Sequence, residues 1–306
     1  MKILVSGALG FIGSNYVAHA LRQGHEVIGF DNLFNASINP TDRIKSSVSQ
    51  LEWENFRFYN VDITNYFQML SIIAANGTLD AIVHLAAVGS IPQSFDKPQL
   101  TMSVNVHGFS NVAQIARVLQ IKHFVYASSS SVYGHSKEQL RKETQTPNPN
   151  NPYALSKFMN EQLAAMILPI SVGLRFFNVY GPGQNFNTAY APVIPRFINE
   201  EIPTVHGDGS TARDFTFVED ACQAIEKSLC FKGQEVLNIG TGKMFSLGHI
   251  LTLLEKKEAQ FSEQRPGTVE YSCADISRAK RLLGYEPCFT FEQGLQKTVS
   301  YYRGLK

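Results

Sequence analysis

A chain of 306 residues with 44% hydrophobic and 17% charged residues can bury a full core, and its formal net charge of +1 excludes the strongly basic surface of a nucleic-acid or membrane binder. The cysteines Cys222, Cys230, Cys273 and Cys288 form no C-x-x-C pair, and the histidines show no metal-ligand spacing, so neither a metal site nor a disulfide framework is expected. No apolar run approaches the length of a membrane span and no secretory leader pattern opens the chain; a cytoplasmic location is expected.

Lys2-Ile3-Leu4-Val5-Ser6 is a β-branched run of the kind found in buried parallel strands. It leads into Gly7-Ala8-Leu9-Gly10-Phe11-Ile12-Gly13 and then a helical pattern through Tyr16, Val17, Ala20 and Leu21. Strand, glycine turn and helix present free N–H groups and a positive helix end to a pyrophosphate. The spacing is G-x-x-G-x-x-G rather than the commoner G-x-G-x-x-G. The next strand, Glu26 to Phe30, ends in Asp31, placed to receive the ribose hydroxyls of an adenosine; an acid there favours NAD over NADP because it repels a 2′-phosphate.

The βα alternation continues. Phe56 to Val61 leads to Asp62-Ile63, where an acid could meet an adenine amino group. Ala81-Ile82-Val83-His84-Leu85-Ala86-Ala87 closes in small residues that let a cofactor lie against backbone. His84, alone in an apolar strand, reads as structural rather than catalytic. A long helical stretch from Leu100 to Leu119 contains Asn105, whose amide is placed to buttress the strand ends, and Phe124 to Ala127 delivers the cluster Ser128-Ser129-Ser130-Ser131. Downstream, Tyr153-x-x-x-Lys157 puts a phenol and an ammonium on one helix face. The ammonium would lower the phenol pKa, and Ser129 would relay its proton. Taken alone, the same spacing describes a surface helix whose Tyr and Lys merely share a side.

Together, Gly7-x-x-Gly10-x-x-Gly13, His84-Leu85-Ala86-Ala87, Asn105-Val106-x-Gly108, Ser128 to Gly134 and Pro152-Tyr153-x-x-x-Lys157 resemble the extended short-chain dehydrogenase/reductase superfamily, and within it the nucleotide-sugar epimerase/dehydratase branch. The likeness runs on through Leu174 to Pro182, Gly207 to Phe215 and Ala274 to Lys280. It implies an α/β fold: a Rossmann-like, doubly wound parallel sheet with a smaller α/β carboxy-terminal substrate domain. The expected boundaries are 1–177 for the NAD-binding part, with 213–241 returning to it in part, and 178–306 for the substrate part.

By position, the resemblance implies Tyr153 as base and acid, Lys157 as its electrostatic partner and ribose ligand, and Ser129 in the catalytic Ser/Thr position. Tightly bound NAD would meet Gly7, Gly10, Phe11, Ile12, Gly13, Asp31, Asn32, Asp62, Ile63, Leu85, Ala86, Ala87, Asn105 and Lys157. A UDP-sugar would meet Ser90, Ser129, Ser130, Ser131, Tyr153, Asn178, Val193, Arg213, Arg265 and Ser272, the arginines suiting diphosphate oxygens because their rigid fork pairs them bidentately.

The reaction is read from absent acids. Family dehydratases carry an Asp-Glu pair where Ser130 and Ser131 stand, and family decarboxylases keep a glutamate at the second position. A serine has no titratable proton near neutral pH, so elimination is disfavoured, while 4-epimerisation through a transient 4-keto sugar needs only the residues present. In the 4-epimerases that the chain resembles, a small residue at the position of Ser272 leaves room for an N-acetyl group; UDP-GlcNAc/UDP-GalNAc is therefore the expected pair, with UDP-glucose/UDP-galactose also open and UDP-glucuronate the competitor. A non-catalytic NAD-binding regulator is the reading from a different class. A homodimer is implied, although the short interval from Lys157 to Arg175 bears on its helix interface. Thr268 stands where an Asp is common, which weakens one expected contact near the nucleotide.

Overall fold

The computed structural model describes residues 1–136, 138–186, 191–263 and 271–305. Seven strands form one sheet: β1 (Lys2–Ser6), β2 (Glu26–Asp31), β3 (Phe56–Asn60), β4 (Ala81–His84), β5 (His123–Ser129), β6 (Ser171–Phe176) and β7 (Gln234–Ile239). Their order is β7-β6-β5-β4-β1-β2-β3 and all pairings are parallel. The direction of winding reverses between β1 and β4, and a crevice opens at their carboxyl ends, which is where such sheets bind ligands.

The period of two along each strand explains why the sheet is apolar on both faces. Ile3 and Val5 of β1, Val27 of β2, Ala81 and Val83 of β4 and Val125 of β5 enter one core. Leu4, Ile28, Ile82, Phe124 and Tyr126 enter the other. The first core is completed by helices α1 (Phe11–Arg22) and Val218–Ser228, the second by Phe109–Val118.

The expected helical stretch around Asn105 is present and continuous from Pro98 to Val118, with one local widening. Pro98–Met102 passes into a wider, π-type turn at Ser103–Gly108 before Phe109–Val118 begins. The turn brings Asn105 inward, where its amide accepts from Val88 N (2.8 Å) and donates to Val88 O (3.1 Å) and Ser156 Oγ (3.0 Å). Such local widening recurs at functional sites.

A second sheet carries four short strands in the order Phe245–Ser246, Ala212–Arg213, Tyr271–Ala274, Leu140–Arg141. Asp214 ties it to the end of β7: fully buried, its carboxylate accepts from Thr241 N (2.8 Å), Thr241 Oγ1 (2.8 Å), Gly242 N (2.9 Å) and Ala274 N (3.1 Å). Burial raises its pKa, and these donors hold it back. Among the described residues no helix is long and apolar enough to cross a membrane.

Candidate functional site

The glycine turn begins where β1 ends. Gly7 sits at φ +72°, and a Cβ there would lie 2.6 Å from Ala86 N, so only glycine allows both the turn and the approach of β4's extension. A Cβ on Gly13 would lie 1.8 Å from Gly7 O, which is how α1 comes to start directly against the turn. The first turn of α1 has no side-chain cap and no acidic residue. Its N–H groups and positive dipole end are therefore open to an anion.

Asp31 is held at the end of β2 by accepting from Leu9 N (3.0 Å) and Leu33 N (2.7 Å). Burial works to raise the pKa of Asp62, but the N–H and hydroxyl of Thr64 and the amide of Asn32 outweigh it, and the carboxyl stays ionised below its usual range.

These elements border a cleft of about 620 Å³. Of the expected cofactor residues, Gly7, Gly10, Phe11, Ile12, Gly13, Asp31, Asn32, Asp62, Ile63, Leu85, Ala86, Ala87 and Lys157 all line it. Asn105 does not: at 1% exposure it stands behind the wall as a buttress of Val88. Of the expected substrate residues, Ser129, Ser130, Ser131, Tyr153 and Asn178 line the cleft. Ser90 is instead spent as a helix cap, accepting from Gln93 N at 3.2 Å. Val193 opens the helix Val193–Asn199, and Arg213 and Ser272 lie side by side in the second sheet; none of these borders the cleft. Arg265, with Tyr190 and Thr268, lies outside the described residues.

At one end of the cleft, helix Pro152–Ile167 starts with Asn151 accepting from Ala154 N at 2.8 Å and with Pro152 in its first turn, a strong helix start. This fixes Tyr153 and Lys157 against the end of β5. Lys157 is 2% exposed; its Nζ donates to Ala127 O at 2.8 Å and lies 5.9 Å from the centre of the Tyr153 ring. Burial without a carboxylate lowers its pKa to about 8. The phenol of Tyr153 is raised by burial, and the hydrogen bond from Ser129 pulls it back down. The expectation that Lys157 lowers the phenol pKa is thus not met, because the ammonium is turned to the Ala127 carbonyl.

One functional cluster was not foreseen. Glu161 follows Lys157 by one further helical turn and is 3% exposed. It takes a two-pronged ion pair from Arg175 of β6 (Nε–Oε1 2.9 Å, Nη2–Oε2 2.7 Å) and a hydrogen bond from Ser128 Oγ at 2.5 Å. Arg175 also lies 4.7 Å from the centre of the Tyr133 ring. The pair clamps helix Pro152–Ile167 to β5 and β6. The spacing Tyr153, Lys157, Glu161 carried the signal, since all three share one helix face. Phe34, Asn35 and Gln184 line the cleft from loops that carry no periodic pattern. His84 is fully buried, its ring hydrogen-bonded to Ser6 Oγ at 2.8 Å, and burial drops its pKa to about 3, so it stays neutral and structural.

The geometry fits a dinucleotide: a glycine cradle that a Cβ would fill, an open helix end, carboxylates at the ends of β2 and after β3, and a Ser-Tyr-Lys centre at the far end. Residues 3–240 match the model of the NAD dependent epimerase/dehydratase family. A UDP-glucuronate 4-epimerase of Thermodesulfobacterium geofontis is 34% identical over 310 residues, covering 97% of this chain and 95% of the relative. The structure of UDP-glucose 4-epimerase from Thermotoga maritima with UDP-glucose superposes with a TM-score of 0.90 at 30% identity, covering 100% of this chain and 99% of the other. A UDP-N-acetylglucosamine 4-epimerase from Methanobrevibacter ruminantium in complex with UDP-N-acetylmuramic acid gives 0.88 at 29% identity, with coverage of 100% and 99%.

Proposed function

We propose that this chain, which belongs to the NAD dependent epimerase/dehydratase family, is a UDP-sugar 4-epimerase whose preferred substrate is UDP-glucuronate. The observation that carries this reading is the serine turn. Ser129 bonds the phenol of Tyr153, and Ser130 and Ser131 line the cleft beside it. No carboxylic acid stands there to drive elimination, and serine hydroxyls are donors suited to a sugar carboxylate, which only accepts. The 34% identity to a UDP-glucuronate 4-epimerase supports the same choice. A UDP-N-acetylhexosamine is the second reading, favoured by the small side chain of Ser272 and by the likeness to a UDP-N-acetylglucosamine 4-epimerase.

NAD, when bound, supplies a reversible two-electron acceptor for C4 of the sugar. The glycine turn and the open end of α1 hold its pyrophosphate, Asp31 its adenosine ribose, and Lys157 its nicotinamide ribose. Tyr153 takes the O4 proton and returns it after the sugar has presented its other face. Ser129 orients the same oxygen, and Asn178, whose amide donates to Asp214 O at 3.0 Å, stands at the cleft's substrate end. The test is proton NMR of the purified protein with UDP-glucuronate, UDP-GlcNAc and UDP-glucose in separate tubes, without added nucleotide. Fastest conversion of UDP-glucuronate supports the proposal and tightly held NAD; fastest conversion of UDP-GlcNAc promotes the second reading; no 4-epimer in any tube after adding NAD sinks both.

Lys157 also sets an alkaline limit. Its pKa is lowered to about 8, so the ammonium is intact below that pH and is lost as pH rises through it. In the NAD-loaded enzyme, kcat/KM is expected to decline above about pH 8, by about tenfold per unit at the limit. A Lys157→Met variant should be slower and lack that limb; an unchanged profile would remove Lys157 from the proton path.

We further propose a homodimer in a reducing cytoplasm, where free Cys230 and Cys288 can remain exposed thiols. Leu155 (41%), Met159 (38%) and Met166 (77%) leave one apolar stripe of helix Pro152–Ile167 uncovered, beside exposed Val118 and Leu119 at the end of the neighbouring helix. Pairing two copies through this face would bury the stripe. Light scattering should give twice the chain mass, and Met159→Glu should shift it to a monomer; a monomeric wild type would contradict the pairing.

A further inference from the structure

A buried ion pair calls for a reason other than stability, because apolar side chains of similar volume often fill the same place as well or better. Glu161 and Arg175 form such a pair, 3% and 4% exposed, on helix Pro152–Ile167 and on β6. Beyond each other, both side chains reach the serine turn. Glu161 Oε1 accepts from Ser128 Oγ at 2.5 Å, and the Arg175 guanidinium lies 4.7 Å from the centre of the Tyr133 ring. Ser128 stands just before that turn and Tyr133 is its last residue. The pair therefore grips from both ends the stretch whose Ser129, Ser130 and Ser131 line the cleft.

The register explains how the grip is made. Ser128 and Arg175 are partners across the parallel β5–β6 ladder, so their side chains point to the same face and both meet Glu161 there. Three consecutive residues at the end of β5 are in this way fastened to one helix. Ala127 O accepts from Lys157 Nζ at 2.8 Å, Ser128 Oγ donates to Glu161, and Ser129 bonds the phenol of Tyr153. Tyr153, Lys157 and Glu161 follow at four-residue intervals along one stripe of that helix. Releasing Ser128 would free the residues on either side of it, Ala127 and Ser129. A shift of about 1 Å at reacting groups can cost about 10²-fold in rate.

We infer that Glu161 and Arg175 are positioning residues for the reaction: by holding the serine turn at both ends they set Ser129 and Lys157 against Tyr153. Neither side chain borders the cleft, so they act through the residues that do. The inference rests on the 4-epimerase reading above but not on the choice of sugar.

The test uses NAD-loaded protein and whichever UDP-sugar the wild type converts fastest, with Tm and NAD content measured in parallel. Glu161→Leu/Arg175→Met removes both charges together with the acceptor for Ser128. Its Tm should stay near that of wild type, since no uncompensated buried charge is left. Its kcat should fall by about tenfold or more, while KM changes by less than about threefold. Glu161→Gln/Arg175→Met differs only in restoring a carbonyl oxygen for Ser128, and should recover most of the lost kcat at a similar Tm. Ser128→Ala leaves the ion pair intact; it should lower kcat by about threefold or more with NAD content unchanged, and it decides the matter if the double variants do not fold. Wild-type kcat in Glu161→Leu/Arg175→Met, or in Ser128→Ala where that variant decides, would make the pair purely structural and overturn the inference. Equal loss of kcat in both double variants would overturn the link through Ser128, and a raised KM at unchanged kcat would assign the pair to substrate binding instead. A wild type that converts none of UDP-glucuronate, UDP-GlcNAc and UDP-glucose after adding NAD defeats the epimerase reading itself, and this inference with it.

Discussion

Tyr153→Phe is expected to lower kcat by about 10³–10⁴-fold while leaving Tm and bound NAD unchanged. The substitution removes only the phenolic oxygen; the ring keeps its place at the start of helix Pro152–Ile167, which Asn151 and Pro152 nucleate independently of it. What is lost is the group proposed to exchange a proton with the sugar O4, together with the acceptor for the Ser129 hydroxyl. Ser129 alone cannot substitute, since a serine hydroxyl does not ionise near neutral pH. Steady-state turnover, paired with the absorbance of nucleotide released from the denatured variant, measures both halves. Activity within tenfold of wild type would show that Tyr153 is not the acid–base group.

The second large effect is expected at the cradle. Gly13→Ala should abolish retention of NAD and destabilise the fold by about 1–3 kcal/mol. Its methyl group would stand 1.8 Å from Gly7 O, so either α1 must retreat from β1 or the turn must open, and both displace the N–H groups proposed to hold the pyrophosphate. Gly24→Ala is the matched control. Gly24 also has a positive φ, +78°, but nothing lies within 4 Å of the added atom, so only a backbone cost of about 1 kcal/mol is expected and NAD should be retained. Nucleotide content per chain after gel filtration, with thermal melts, separates the two. Full occupancy in Gly13→Ala would show that the close helix start is not needed for binding.

Much of this molecule was legible before its structure. The glycine turn, the acid after each early strand and the Tyr153–Lys157 spacing are local features whose geometry follows from the repeat of a helix or strand, and they line one cleft. The likeness between Ser128–Gly134 and its family extended that reading to Ser129. Other features depended on contacts between distant segments. The π-type widening at Ser103–Gly108 goes with Asn105 bonding Val88 and with the close approach of Gly108 to Ile63, where a Cβ would lie 2.5 Å away. The direction of the Lys157 ammonium depends on which carbonyl lies nearest, and this proved to be Ala127.

What the sequence by itself determined was the alternation of strands and helices, the parallel sheet, the glycine turn and the placing of Tyr153 and Lys157 on one helix face, because short-range spacing and side-chain type suffice for these. Tertiary structure alone decided that Glu161 and Arg175 lock Ser128 in place and that Ser90 is spent on a helix cap. Ion pairing, capping and burial are properties of neighbours brought from far along the chain, and no local pattern encodes which neighbour arrives.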